Sequence, residues 1–177
     1  MNTIIQVGDE VLRKIAKPVP QDMFNTKELK DIVDNMLQVL DTQPDGVALA
    51  APQISISYRI FVVRYDRLVT PVSDDDTVPD PSIGIFINPK IIRTARKSEK
   101  MEEGCLSVRD IYGMVRRLNR ATILAHTIEG VAFRRDGGGI LAQVFQHEVD
   151  HLDGILFIDH TDELYRINRD DNTIHHE

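Results

Sequence analysis

The sequence has little cysteine, no tryptophan and no long apolar segment. Cys105 is the single cysteine among 177 residues, so no internal disulfide can form and a reducing compartment fits best. No apolar run approaches the roughly 20 residues that a membrane span needs. The first residues also lack the basic and apolar regions of a secretory signal. We therefore expect a soluble, cytoplasmic protein with no membrane partner.

Positive charge is also scarce, since 21 basic residues face 28 acidic ones and the net charge is −7. This balance argues against specific DNA binding, which depends on neutralising phosphates. The hydrophobic fraction of 42% and the charged fraction of 28% are ordinary for a globular protein. The length suits one domain, which we place at residues 1–162, followed by a polar C-terminal tail at 163–177.

Two segments have the apolar periodicity of helices. Residues 26–41 carry apolar side chains at three- and four-residue spacing, and Asn25 is the predicted N-cap. The second helix covers Ile140–Leu152; the glycines at 137–139 open it and Asp-Gly at 153–154 ends it.

Short β-rich runs surround these helices, and an acidic segment at 70–81 is predicted to be a solvated loop. The hairpin-like spacing of the runs favours an α+β fold over a wound parallel sheet. The predicted strands are residues 59–65, 83–88, 91–92, 121–126 and 130–133.

His147 and His151 form the sharpest local signal. Four residues apart on a helix, they lie on one face about 6 Å apart and can hold a divalent metal. Glu148 projects beside them, towards a water that such a metal would bind. A pair of surface histidines is the plain alternative, but their face continues Ile140 and Val144 and so points inward.

A catalytic site of this kind needs a third protein ligand and one open position. Phe157 stands where a metzincin would have its third histidine, which excludes that class. A downstream glutamate could only be Glu163 or Glu177. Cys105 is the better candidate, because a thiolate with two imidazoles leaves a fourth position for water.

The surroundings of Cys105 also fit a reactive site. Gly104 lets the backbone approach a ligand, and the N–H that follows the cysteine can face a reacting carbonyl. A run of small residues at 46–53 ends in the amide of Gln53. Taken alone, that run is equally typical of a tightly packed loop.

Together these segments resemble the three motifs of the peptide deformylases, in the same order along the chain. Residues 46–53 match the glycine-rich stretch ending Ala-Ala-x-Gln, 103–107 match Glu-Gly-Cys-Leu-Ser, and 146–151 match Gln-His-Glu-x-Asp-His. The resemblance extends over most of residues 1–162, which would form the catalytic domain. It implies an α+β fold in which antiparallel strands pack around a central, metal-bearing helix.

The resemblance implies one divalent metal, held by Cys105, His147 and His151. Ferrous iron is common in this family, and zinc, nickel or cobalt can occupy the same site. Glu148 would move a proton from the metal-bound water to the leaving amine. The reaction implied is hydrolysis of the N-formyl group on the methionine that begins a newly made polypeptide, with formate as product.

Further implied features concern the oxyanion, the substrate and the partners. Gln53 and the backbone N–H of Leu106 would stabilise the oxyanion, and a nascent N-formylmethionyl peptide would be the partner, with a transient ribosome contact. Val47, Ile140 and Val144 are plausible walls of an apolar methionine pocket. Further candidate substrate-binding residues are Gly46, Ala48, Glu103 and Gly104.

Two alternatives stay open at this point. Ala48 stands where the family usually has a second glycine, which leaves room for a related enzyme acting on another small N-acyl group. A catalytically silent, metal-stabilised binding module is the other, although such a protein would be expected to have lost Glu148 or a metal ligand.

Overall fold

The computed structural model describes residues 3–68, 82–168 and 173–176. Two α-helices lie among them, α1 at Lys27–Asp41 and α2 at Ile140–Leu152. The strands are β1 (Ala48–Ala50), β2 (Ile60–Arg64), β3 (Ile83–Thr94), β4 (Ser98–Cys105), β5 (Val108–Leu118), β6 (Arg120–His126), β7 (Ala132–Gly138), β8 (Leu164–Asn168) and β9 (Thr173–His176). The acidic segment 70–81 lies outside the described residues.

Two antiparallel sheets organise the chain. The first has five strands in the order β1-β2-β3-β6-β7, and the second has four in the order β4-β5-β8-β9. Helix α2 packs on the five-stranded sheet and also contacts β5 of the second sheet. The predicted α+β fold is confirmed, and its central helix joins the two sheets.

Aromatic packing fixes α2 to the five-stranded sheet. The rings of Phe61 and Phe86 stack with centroids 4.5 Å apart, and Phe145 of α2 meets Phe86 edge-on at 5.3 Å. All three side chains are fully buried, which makes this contact a large part of the apolar core. The rotation of α2 about its own axis is thereby set, and with it the direction of its two histidines.

Helix α1 packs its apolar stripe on the opposite side of the same sheet, against residues such as Leu49 and Val62. It begins one residue later than expected, because Thr26 is the N-cap and its hydroxyl accepts a bond from the Leu29 N–H at 3.3 Å. The prediction of Asn25 as N-cap is wrong. Asn25 has a φ of 60°, a left-handed conformation that asparagine tolerates and an extended N-cap does not use.

The structure differs from expectation after Glu163, where the sequence analysis anticipates only a polar tail. There β8 pairs with β5, with Tyr165 opposite Tyr112, and β9 pairs with β8. The pairing is a tertiary effect: β5 offers a free edge, and strand pairing satisfies backbone groups whatever the polarity of the side chains.

The glycines before α2 also have a different role from the one expected. Gly137 and Gly138 belong to β7, and Gly139 alone caps the helix, with a φ of 54°. At Gly137 a Cβ would lie 2.9 Å from the ring of Phe145, so the glycine allows β7 and α2 to approach closely. Within the described ranges, no helix is long and apolar enough to cross a membrane.

Candidate active site

Cys105 ends β4, and His147 and His151 lie on the face of α2 that is turned towards it. The ligand-type atoms of these three side chains all lie within 4.8 Å of one another. The Cys105 Sγ is 3.2 Å from the Nε2 of His151, and the two imidazole rings have centroids 4.9 Å apart. The fold thus brings together the three residues that the sequence analysis proposes as metal ligands.

The electrostatics of this cluster favour a cation. Burial acts against a charge on His147, yet its interactions with Cys105 and Glu103 outweigh burial and raise its pKa. The Nδ1 of His147 is 3.0 Å from Glu103 Oε2, which leaves Nε2 for a ligand. Metal-bound histidines commonly have such a carboxylate on the second nitrogen. One thiolate and two imidazoles are a suitable donor set for zinc or ferrous iron, so the residues fit a divalent metal.

A buried ion-pair network holds Glu103 in place. Arg117 of β5 donates two bonds to the Glu103 carboxylate, at 2.7 and 3.0 Å, and a third to Asp150 at 2.6 Å. Burial alone would raise the pKa of Glu103, but its bonds to His147 and Arg117 lower it to about 2. The carboxylate is therefore ionised at neutral pH, and it fixes the His147 ring.

Sequence reasoning treats Glu103 as a substrate contact and gives Arg117 no role. The ion pair between them is not evident from the sequence, because the two residues are not directly opposite each other in the sheet. Glu103 of β4 lies opposite Gly113, and Arg117 lies four residues further along β5, opposite Glu99. Charge alone does not single out Arg117, because β5 also carries Arg109, Asp110 and Arg116.

Glu148 is buried beside the cluster, with 4% of its surface exposed. Burial raises its pKa to about 7, the neighbouring carboxylates of Glu103 and Asp150 add to the rise, and His147 opposes it. Among the described residues its Oε2 has no hydrogen-bond partner. A carboxyl group with these properties can take up and release a proton near neutral pH.

Gln53 lies in a short 3-10 turn directly after β1. Its Oε1 accepts a bond from the Ala50 N–H at 2.8 Å, which fixes the orientation of the amide because that partner can only donate. The Nε2 consequently faces Ser107 Oγ at 3.2 Å and Cys105 Sγ at 3.5 Å. The amide nitrogen of Gln53 is thus directed at Cys105 of the cluster and at the neighbouring Ser107.

The turn after β4 carries Leu106 to the same place. It joins β4 to β5, and the Leu106 carbonyl accepts a bond from Gln6 Nε2 at 3.0 Å, which ties the turn to the N-terminal segment. Gly46 lies close to this turn and also lines the cavity. A Cβ on residue 46 would lie 2.9 Å from the Leu40 side chain and 3.0 Å from that of Leu106, so only glycine fits there without displacing them.

These groups share one cavity of about 270 Å³. Cys105, His147 and Glu148 line it together with Gln53 and Leu106. The structure also places in its lining every residue that the sequence analysis proposes for substrate binding: Gly46, Val47, Ala48, Glu103, Gly104, Ile140 and Val144. The lining also includes seven residues that the sequence analysis does not propose: Asp45, Glu102, Val108, Arg109, Ile111, Tyr112 and Gln143.

The arrangement meets the two requirements for hydrolysing an amide, since it can activate water at a metal and offer fixed N–H donors to a developing oxyanion. The fold and the site define a metal-dependent hydrolase.

The chain is similar to known proteins over most of its length. The family model described as polypeptide deformylase matches residues 1–166. A peptide deformylase of Halothermothrix orenii is 43% identical over 156 residues, which are 88% of this chain and 90% of that protein. The peptide deformylase of Acidobacterium capsulatum is 42% identical over 156 residues, covering 88% of this chain and 83% of the relative.

Solved structures agree. A class I type b peptide deformylase from Acinetobacter baumannii, crystallised with Met-Ala-Ser, superposes with a TM-score of 0.80 at 30% identity, over 91% of this chain and 98% of that one. The peptide deformylase from Thermotoga maritima gives a TM-score of 0.75 at 35% identity, over 90% and 97% of the two chains. The chain belongs to the polypeptide deformylase family. It is an enzyme, and deformylation is its function in preference to the silent binding module.

Proposed function

We propose that the chain hydrolyses the N-formyl group from the methionine at the start of newly synthesised polypeptides and releases formate. The observation that carries this is one cavity with the Cys105 cluster and Glu148 at its base and apolar side chains on its wall. The Acinetobacter relative, whose structure holds Met-Ala-Ser, supports a substrate that begins with methionine. We place the enzyme in the cytoplasm, near the ribosome from which its substrates emerge.

Cys105, His147 and His151 would hold the metal, which we take to be Fe²⁺ in the cell, with Zn²⁺, Ni²⁺ or Co²⁺ able to replace it in preparations. When bound, such a metal lowers the pKa of a coordinated water to about 7 and polarises a carbonyl oxygen. Glu103, itself held by Arg117, keeps the His147 ring in the orientation that binding requires.

Proton transfer is the role we give to Glu148. Its carboxylate accepts the proton lost from the attacking water and delivers it to the amine nitrogen that leaves, after which the carboxylate is restored. A pKa of about 7 suits both halves of this transfer at neutral pH. The burial of the side chain keeps bulk water away from the proton in transit.

Oxyanion stabilisation falls to Gln53 Nε2 and the backbone N–H of Leu106. Both would donate to the formyl oxygen as it gains charge, and the bond from the Ala50 N–H holds the Gln53 amide ready in advance. The methionine side chain would lie against Val47, Ile140 and Val144, which form the partly apolar wall of the cavity.

The reaction is tested by comparing formyl-Met-Ala with acetyl-Met-Ala at equal concentration, with amine release measured for both. We expect hydrolysis of the formyl peptide and little of the acetyl peptide, because a methyl group on the carbonyl carbon has to fit beside Gln53 and Ala48, which are buried. Equal rates on both peptides would favour the broader N-acyl hydrolase and contradict this proposal. The metal-loaded protein should hydrolyse the formyl peptide. If it binds this peptide but releases no amine, it is a silent binding module and the proposal is contradicted.

A further inference from the structure

The segment that joins α1 to β1, residues 42–47, forms one wall of the active-site cavity. Asp45, Gly46 and Val47 of this joining segment line the cavity directly. The segment contains no helix or strand, and its one internal main-chain bond runs from the Gly46 N–H to the Gln43 carbonyl at 3.1 Å. The place of this wall therefore depends on groups outside the segment.

Arg67, in the short 3-10 turn after β2, holds the joining segment from behind. Its Nη1 group donates to three main-chain carbonyls, those of Leu40 at 3.2 Å, Gln43 at 3.1 Å and Gly46 at 2.8 Å. Its Nη2 group donates to Asp41 Oδ1 at 3.0 Å. Within the described ranges Arg67 is not part of the cavity lining. One guanidinium thus ties the last turn of α1 to the wall of the cavity.

An arginine suits this position for two reasons. The last carbonyls of a helix have no partner within the helix and carry the negative end of its dipole, so a cation is favoured beside them. A guanidinium also has five N–H donors in a fixed plane and can serve several acceptors from one position. The Arg67 side chain is only 22% exposed, which limits the competition from water for these bonds.

Gly46 passes the constraint on to the site. A Cβ on residue 46 would lie 3.0 Å from Leu106, so the backbone there is in close contact with the turn after β4. Val47 follows directly and is one of the walls proposed for the methionine side chain. At the other end of the segment, Arg109 donates to the Gln43 side chain. The glycine offers no side chain to hold, so its position depends on main-chain bonds.

We propose that Arg67 is a positioning residue: by holding the Gly46 carbonyl, it keeps Gly46 and Val47 where a formyl-methionyl substrate lies against them. The inference rests on the proposed deformylase function. A wall that is ordered in advance favours the bound substrate and the transition state equally, so Arg67 contributes to KM and not to kcat. Proton transfer at Glu148 is unaffected.

The test is steady-state kinetics of the metal-loaded full chain on formyl-Met-Ala, with the variants Arg67→Met and Arg67→Lys. Methionine keeps the apolar stem and removes every bond of the guanidinium. Its KM should rise by about 5- to 30-fold, which corresponds to ordering the backbone of one residue on binding, while kcat changes little. The lysine variant should fall between this and the wild type, because an ammonium is a point charge that cannot reach three carbonyls from one position.

Hydrogen exchange of the substrate-free protein tests the order of the wall without any turnover. The amides of residues 42–48 should exchange faster in Arg67→Met than in the wild type, because local opening is easier once the carbonyls are released.

Arg64→Met is the matched control. The Arg64 side chain is also 22% exposed and pairs with the same Asp41, with its Nε 3.3 Å from Oδ1, but within the described ranges it bonds none of the three carbonyls. It should keep the wild-type KM and exchange rates.

A wild-type KM in Arg67→Met would overturn the inference alone, as would a fall in kcat at constant KM or an equal rise in KM in Arg64→Met. If Arg67→Met does not fold, a folded Arg67→Lys with the wild-type KM overturns it equally. Wild-type exchange of residues 42–48 in a folded Arg67→Met would also count against it. Absence of turnover in the wild type would instead overturn the proposed function itself.

Discussion

Replacing Glu148 by glutamine is expected to lower kcat by about 10²–10⁴-fold, the contribution typical of a general acid–base group. The glutamine fills the same buried volume but cannot take up a proton, so the transfer from water to the leaving amine is lost. Cys105, His147 and His151 are unchanged, and we expect the bound metal to stay at the wild-type level. The measurement is formate release, with the metal content of the same sample determined by mass spectrometry.

A suitable control is Glu129→Gln, which makes the same chemical change at an exposed position in the turn between β6 and β7. It should have wild-type kcat and metal content. The role given to Glu148 would be contradicted if Glu148→Gln kept its metal and retained a kcat within a fewfold of wild type. A variant that lost its metal would show instead that Glu148 supports the ligands.

Gln53→Met should lower kcat and kcat/KM together by about 10²–10³-fold, since one oxyanion donor is worth roughly that much. Both constants fall because the donor acts on charge that develops only in the transition state. Methionine has a similar length and keeps the packing. It also leaves the Ala50 N–H without its acceptor, which should lower stability by about 1–3 kcal/mol.

Gln53→Glu separates these two effects. A carboxylate still accepts the bond from Ala50 but offers no N–H to the formyl oxygen, and its charge lies near Cys105. Its kcat should therefore fall at least as far as that of Gln53→Met, while the bond to Ala50 is retained. Wild-type kcat in Gln53→Met would exclude the oxyanion role. Thermal denaturation of both variants shows whether a loss of kcat merely reflects unfolding.

The sequence was most informative where local geometry decides the outcome. Helical geometry alone places His147 and His151 on one face, and the apolar residues of α2 predict that this face points inward. Cys105 is different, because it comes 42 positions before His147 and no local rule predicts their contact. Its chemistry made it the better candidate, the ordered motifs of the family supported the assignment, and the structure brings the three side chains together.

Features set by the register of strand pairing were not predictable. The strand β4 is rich in charged residues and does not look like a strand, yet it pairs along its whole length with β5. The Glu103–Arg117 bond depends on that register. Likewise β8 forms because β5 has an edge to offer, and its Tyr165 stacks on Tyr112 only through that pairing. The pattern in residues 164–168 is too short and too polar to predict this.

A metal held by Cys105, His147 and His151 is expected to support deformylation. The most direct test is formate release from formyl-Met-Ala by protein purified anaerobically, with bound iron and zinc measured in the same samples before and after chelation. We predict turnover in proportion to bound metal, loss on chelation, recovery on adding Fe²⁺ without oxygen, and inactivation of the iron form in air. Full turnover in metal-free protein would contradict the account.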